Sequence, residues 1–477
     1  MSEPLEKDDI QGLLAWGYGH LPSAAWHLLK VTDPAKASRW LAATTDLVTT
    51  ADGDSPTDAA VNIAVTPTGI TAFAGKALGK RLVSGFSTEF RAGMTDEHRR
   101  RLLGDEGETR DPSQWVWGKP GEQIDVIVLL YATTDAKLAA LERKVLGSEA
   151  SIGVSPVRKL ATNWLGEREH FGFHDGISQP AIAGLRPGRP EDTIAAGEFI
   201  LGYENEYGKR TDRPLVAPKD DPNGLLPTAA ENPELADLGR NGSYLVVRHL
   251  SQDVPGFWQF ADEASRHNGG RSPGTRDQAR EALAARIVGR WPSGAPLTLA
   301  PDQDDPEHRS ENDFGYHGDD AEGLKCPVGA HVRRANPRDS LDPRPGTADS
   351  IAINKRHRLL RRGRTYGEAI TPAQALAARS NGGGDADERG LLFACLCGNL
   401  ARQFEFVQHT WVNNPKFAGL YEDPDPLLGP EGGTLTIQAR PVRRRVTSLP
   451  EFVSVRGGAY FFLPGVRALR YLAAQGG

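Results

Sequence analysis

At 477 residues the chain has room for two or three domains of roughly 150 residues each. Its 39% hydrophobic and 25% charged residues are those of a globular protein with a sizeable core. Lys+Arg 56 against Asp+Glu 62 leaves a net charge of −6, which argues against a general nucleic-acid binder. The three cysteines, Cys326, Cys395 and Cys397, suit neither a disulfide scaffold, a CxxC redox pair nor a zinc site, and read as small buried thiols. No apolar run approaches the roughly 18 residues of a membrane helix. The opening MSEPLEKDDI has no basic n-region, apolar h-region or twin arginine, so a cytoplasmic location is expected.

Taken in chain order, the apolar run Leu28 to Val31 reads as a strand, and Asp33-Pro34 turns into an amphipathic helix through Trp40. VNIAV (Val61 to Val65) and DVIVLLYA (Asp125 to Ala132) read as buried strands. Thr66-Pro67 opens one helix and Asp135 another. Pro187 to Gly239, rich in Pro, Asp, Asn and Gly, reads as a long ordered surface connection. Tyr244 to Val247 then repeats the strand, Asp253 to Gly256 the turn, and Trp258 with Phe260 the helix. Ala300 to Asp320 is dense in Asp but lacks the spacing of an EF-hand, and reads as a solvated acidic loop. RGLLFACL (Arg389 to Leu396) is a strand. Leu400, Phe404, Val407 and Trp411 follow at helical spacing, and GGAYFFLP with VRALRYLAA closes the chain as strand and helix. The repeated order suggests two copies of one α+β module.

Four segments combine backbone punctuation with titratable or cationic side chains. In HFGFHDGISQP, Asp175 sits before Gly176 among aromatics, where a carboxylate has a tunable pKa suited to acid–base work. An Asp-Gly pair alone is usually no more than a turn. In CPVGAHVRRANPRDS, His331 precedes Arg333, Arg334 and Arg338, a pattern that suits an imidazole ligating a metal beside an anionic cofactor such as haem. In LLRRGRTYG, adjacent Arg361 and Arg362 on an extended segment point to opposite sides, one to a pocket and one to solvent. In RGLLFACL, Leu391, Phe393 and Cys395 share a face by period two, a flat apolar wall against which a porphyrin could pack.

Together these blocks resemble the dye-decolorizing peroxidases, whose signature reads Gly-x-x-Asp-Gly followed by Gln-Pro, here GFHDGISQP. DIQGLLAWGYGH, RIVGRWPSGAP, CPVGAHVRRANPR, LLRRGRTYG, LLFAC with FEFVQHTW, and RGGAYFFLPG resemble further family blocks in the family's order. The length and loops are similar to the larger bacterial and fungal branch. One departure is Ala459, where the family often has Glu before Tyr460.

The resemblance implies an α+β fold of two ferredoxin-like domains, of the dimeric α+β barrel type with long connecting loops. The expected limits are 1–186 for an N-terminal domain carrying the Asp segment, 187–240 for the connection, and 241–477 for a haem-binding domain. It implies one haem b per chain, with His331 as proximal iron ligand, Asp175 as distal acid–base residue and Arg361 as distal arginine. Arg361 is preferred to Arg362 because the family's arginine lies six residues before the second glycine of the turn, Gly367. Leu391, Phe393 and Ile177 would line the porphyrin, and Arg338, with Arg333 less firmly placed, would meet a propionate. Asp425 would bond the other nitrogen of His331. The implied activity is reduction of hydrogen peroxide to water, with an acidic optimum and a ferryl porphyrin-radical intermediate. Dyes, phenols or other small aromatic reductants would supply electrons in one-electron steps. The alternatives are a haem-binding, haem-delivering or iron-releasing protein, and an α+β barrel for another apolar ligand. No nucleic acid or membrane partner is implied, and the oligomeric state is left open.

Overall fold

The computed structural model describes residues 3–147, 152–266, 275–380 and 388–476. Four strands form the first half: β1 (Ser23–Val31), β2 (Ala59–Val65), β3 (Val126–Ala132) and β4 (Val154–Ala161). Five form the second: β5 (Ser243–Gln252), β6 (Leu360–Arg361), β7 (Arg364–Tyr366), β8 (Gly390–Cys397) and β9 (Val453–Leu463). They pair in the order β6-β8-β5-β9-β2-β3-β1-β4, with β7 also on β8, and every pairing is antiparallel. Each half therefore has the same spatial order, second, third, first and fourth strand, which is the ferredoxin-like arrangement expected from the repeat. The halves meet edge to edge through a single strand pair, Phe462 with Val65.

Local chemistry explains the elements. Helix α1 (Pro34–Thr45) starts at Pro34 after Asp33, whose carboxylate accepts the Lys36 amide at 3.1 Å, and α2 (Pro67–Ala74) is capped likewise by Thr66 on Gly69 at 3.1 Å. The third expected helix, α3 (Asp135–Leu146), is capped by Thr134 rather than Asp135, which lies in its first turn. The helix after β8 is not α-helical. It runs from Ala401 to Val412 in wide turns with i→i+5 bonds, Glu405 to Leu400 at 2.9 Å and Asn413 to Gln408 at 2.8 Å. Its Leu400, Phe404, Val407 and Trp411 are nonetheless all buried.

β3 is buried on both sides: Val126, Val128 and Leu130 join one core, and Ile127, Leu129 and Tyr131 another. Helices cover the first face. The second is covered partly by the segment expected to be a surface connection, whose Ile194, Phe199, Ile200 and Tyr203 join that core. That expectation is corrected, because an uncovered apolar sheet face would be costly in water. The acidic stretch from Ala300 is largely exposed, but it ends in a helical turn where Tyr316 and Asp320 are buried. All three cysteines are free and buried. Among the described residues no helix is long and apolar enough to cross a membrane.

Candidate active site

A cavity of about 270 Å³ lies on the helix-bearing face of the second half's sheet. Leu391 and Phe393 of β8 form part of its wall, while Cys395, two residues on, is buried in the core and off the cavity. The floor includes His331, first residue of the short helix α4 (His331–Ala335), with Val407 and Val412 of the wide-turned helix. Asp175, Gly176 and Ile177 reach the cavity from the first half, on the loop that leaves β4.

That loop is held by its own backbone. Gly172 and Gly176 adopt φ of 96° and 87°, a left-handed conformation that side chains disfavour. The Asp175 amide donates to the Glu167 carbonyl at 2.9 Å. The Glu169 carboxylate accepts from the amides of Phe171 (2.8 Å) and Phe173 (2.9 Å) and from the Gln252 side chain (2.8 Å). Burial pushes Glu169 up to about 7. Phe171 and Phe173 pack on Phe257 and Trp258. Asp175 is thus fixed by hydrogen bonds and aromatic packing together.

Arg361 donates to Asp175 Oδ1 at 2.7 Å, and the Gly176 amide donates to the same oxygen at 2.6 Å. Both side chains keep surface that opens on the cavity, 35% for Arg361 and 42% for Asp175. Burial alone would raise the Asp175 pKa. The Arg361 charge, the two hydrogen bonds and the more distant His331 outweigh it and hold the carboxyl below its ordinary range. Arg362 points the other way, as its place on the strand requires. It meets the carbonyls of Leu13 and Leu14 rather than open solvent.

Opposite, His331 Nδ1 donates to Asp425 Oδ2 at 2.9 Å. Asp425 is buried, and its Oδ1 accepts the amides of Leu427 and Leu428, each at 2.9 Å. Burial favours neutral forms of both groups, but their mutual attraction wins, so His331 is raised and Asp425 lowered. The other ring nitrogen, Nε2, has no hydrogen-bond partner among the described residues and is left for the cavity.

A third wall is cationic. Arg338 bonds the carbonyls of Asn312 (2.9 Å) and Phe314 (3.1 Å), and Arg290 those of Gly294 (2.7 Å) and Glu311 (3.0 Å). Arg358 has one distant acid, Asp192 at 3.8 Å. Burial, reinforced by the charges of Arg338 and Arg361, pushes Arg290 and Arg358 down to about 10. Arg333, expected beside them, is not brought to the cavity. Its guanidinium is taken by Asp320 and the Cys326 carbonyl, at 3.1 and 2.8 Å. Arg290, Arg358 and Glu169 carried no assigned role in the sequence reading. Arg290 lay in a noted block, RIVGRWPSGAP, but no spacing marked it, and Arg358 and Glu169 had no local signal.

No family model matches the chain. Among curated proteins it is 31% identical to the dye-decolorizing peroxidase msp1 of Mycetinis scorodonius over 442 residues, 86% of this chain and 76% of that protein. The chain belongs to the dye-decolorizing peroxidase family. It is also 32% identical over 385 residues to a multifunctional dye peroxidase of Amycolatopsis, covering 76% of this chain and 74% of that one. The crystal structure of a fungal DyP-type peroxidase from Auricularia auricula-judae superposes with a TM-score of 0.77 at 27% identity, covering 99% of this chain and all of that one. A deferrochelatase of Yersinia pestis is 28% identical over 236 residues, 49% of this chain and 35% of that protein.

The cavity's chemistry fits the haem expected of a dye-decolorizing peroxidase. One imidazole nitrogen lacks a partner among the described residues, apolar side chains supply flat walls, and three arginines, Arg290 and Arg358 buried and Arg338 half-buried, bond chiefly neutral groups. Those are the complements of an iron, a porphyrin plane and two propionates.

Proposed function

We propose that this chain reduces hydrogen peroxide to water at the Asp175–Arg361 pair, using one haem b per chain, and draws electrons singly from dyes, phenols or similar small aromatic donors. The observation that carries this reading is that the Asp175–Arg361 pair and His331, backed by buried Asp425, line one cavity. A protein that merely bound haem would need His331 and an apolar slot, and the distal ion pair would be superfluous.

His331 Nε2 would hold the iron, with Asp425 accepting the Nδ1 proton and making the imidazole a stronger donor. Arg338, Arg290 and Arg358 would receive the propionates, and Leu391, Phe393 and Ile177 would pack on the ring. Haem, when bound, supplies the redox centre that takes peroxide oxygen and passes on electrons.

The remaining chemistry belongs to the side chains. Hydrogen peroxide is a weak ligand until it loses a proton, and the Asp175 carboxylate can accept that proton. The same oxygen can then return it to the departing hydroxyl, which leaves as water. Arg361 stabilises negative charge on that oxygen and keeps Asp175 ionised between turnovers. A carboxylate held below its ordinary range remains a base in acid, where a histidine would already be protonated. An acidic optimum follows from that difference. Each turnover consumes two electrons and two protons with one peroxide and yields two waters.

The test is an absorption spectrum of the purified protein before and after one equivalent of peroxide, joined to steady-state dye oxidation at acid pH against free haem. A haem band that peroxide shifts, with turnover well above free haem, is expected. Turnover no better than free haem would remove the enzymatic reading while leaving haem binding intact.

A further inference from the structure

Behind Arg361, on the side away from the catalytic cavity, lies a second concavity of about 220 Å³. Leu14, Gly17, Gln179, Leu185, Arg186 and Arg362 are among its lining residues, and none of the lining residues is acidic. The Arg362 guanidinium donates to three neutral carbonyls, Leu13 (2.7 Å), Leu14 (3.1 Å) and Arg361 (3.1 Å). Among the described residues it therefore has hydrogen-bond partners but no carboxylate paired with it.

Arg186 adds a second cation to the same concavity. It lies over the Trp16 ring at 4.4 Å, and the indole nitrogen of Trp16 is buried with no hydrogen-bond partner among the described residues. Burial pushes Arg362 down to about 10, and the Arg186 charge pushes the same way. Gly17 keeps the space open. A Cβ placed there would lie 4.0 Å from Arg362 Nη1, in van der Waals contact with it, so a larger side chain would enter the recess.

Arg186 is exposed and Arg362 is half-buried, and an anion between the two guanidiniums would relieve their mutual repulsion. Their planar forks match an oxyanion with two or more oxygens. We propose that this recess is a binding site for a small oxyanion of phosphate or carboxylate type, held between Arg362 and Arg186 above Gly17.

The location gives the site a bearing on Arg361. The Arg361 amide donates to Gln179 Oε1 at 3.0 Å, and its carbonyl accepts from Arg362 Nη1. Two residues lining the recess thus clamp both ends of the catalytic arginine's backbone. Occupancy of the site does not depend on the peroxidase reading, since none of these contacts involves haem.

Isothermal titration of the full-length protein, as purified with its cofactor, with inorganic phosphate at low ionic strength tests the proposal. One saturable site per chain is expected, with acetate competing if the shared oxyanion chemistry is what binds. Arg186→Glu removes one fork, and Gly17→Leu fills the recess without changing charge. Each should weaken phosphate binding by at least about tenfold. Arg344→Glu makes the same charge change on an exposed side chain paired with Asp349, and should stay within about twofold of wild type. Absence of saturable binding would overturn the site. So would Gly17→Leu binding like wild type, or Arg344→Glu losing as much as Arg186→Glu, since either would mean diffuse surface charge.

Discussion

Asp425→Asn separates the two duties of one buried carboxylate. Oδ1 accepts the amides of Leu427 and Leu428, and Oδ2 accepts the Nδ1 proton of His331, all three at 2.9 Å. An asparagine must keep its oxygen toward the two amides, because its NH₂ there would leave both without an acceptor, at about 1–3 kcal/mol each. Its NH₂ then faces His331 Nδ1. Two donors cannot share that contact, so the imidazole must move its proton to Nε2, the nitrogen meant for iron. Loss of the carboxylate charge also lowers the basicity of His331, which Asp425 raises. Changing such a partner of a ligating histidine weakens metal binding by about 10–100-fold, or about 1.4–2.7 kcal/mol. Titration of haem-free protein with haemin, read by absorbance, should show that loss while circular dichroism stays that of wild type. Asp425→Ala should in addition lower the melting temperature, since it strands both amides. Wild-type haem affinity in Asp425→Asn would refute the argument that this carboxylate sets the His331 tautomer.

Asp175→Asn should slow the reaction with peroxide by roughly 10²–10⁴-fold while haem stays bound, because an amide cannot accept the proton. Rapid-mixing spectra running at the wild-type rate would sink its role as base. Arg361→Leu removes the charge that holds Asp175 low, so burial prevails and its pKa rises. Asp175 works as the anion and fails as pH falls through its pKa, so the acid limb of kcat/KM for peroxide should move to higher pH. A limb that stays in place would show that Arg361 does not govern that titration. Haem with esterified propionates should bind at least about tenfold more weakly than haem, since charge-assisted hydrogen bonds contribute about 1.5–3 kcal/mol each. Equal affinities in a competition titration would remove Arg290, Arg338 and Arg358 from that role.

Legibility in the sequence followed the range of each interaction. Strands β2, β3 and β8 could be read because they are continuous apolar runs, and the starts of α1 and α2 because Asp33-Pro34 and Thr66-Pro67 cap locally. The paired orientation of Arg361 and Arg362 followed from strand geometry alone. Asp175, Arg361, His331 and Asp425 were named through family resemblance, and the structure brings all four to one cavity wall or its support. Arg333 misled because neighbouring arginines on one helix turn diverge, and contacts with Asp320 and the Cys326 carbonyl decide where this one points. Arg290, Arg358 and Glu169 were invisible because their roles are set by contacts across the fold. Gln252 reaches Glu169 from 83 positions away, and Ser178 meets Arg358 from 180. The wide-turned helix was read as ordinary because its apolar spacing of four, three and four fits either pitch.

The division of labour between the halves follows from this topology. The second half provides His331, Asp425, the cationic wall and the β8 face, the parts a flat anionic cofactor would touch. The first half adds Leu103, Asp105 and Arg110 to the cavity lining, but it is its loop after β4 that carries Asp175. One strand pair joins the sheets and a shared apolar core packs the halves together, but neither includes a residue of the Asp175 loop. The loop is instead pinned to second-half residues: Asn163 bonds Thr365, His170 bonds the Tyr366 carbonyl, and Glu169 takes Gln252. Those three attachments on β5 and β7 hold Asp175 against Arg361 of the neighbouring β6. Proton transfer tolerates little error in position, so the base is fixed to the half that would hold the cofactor and not to its own.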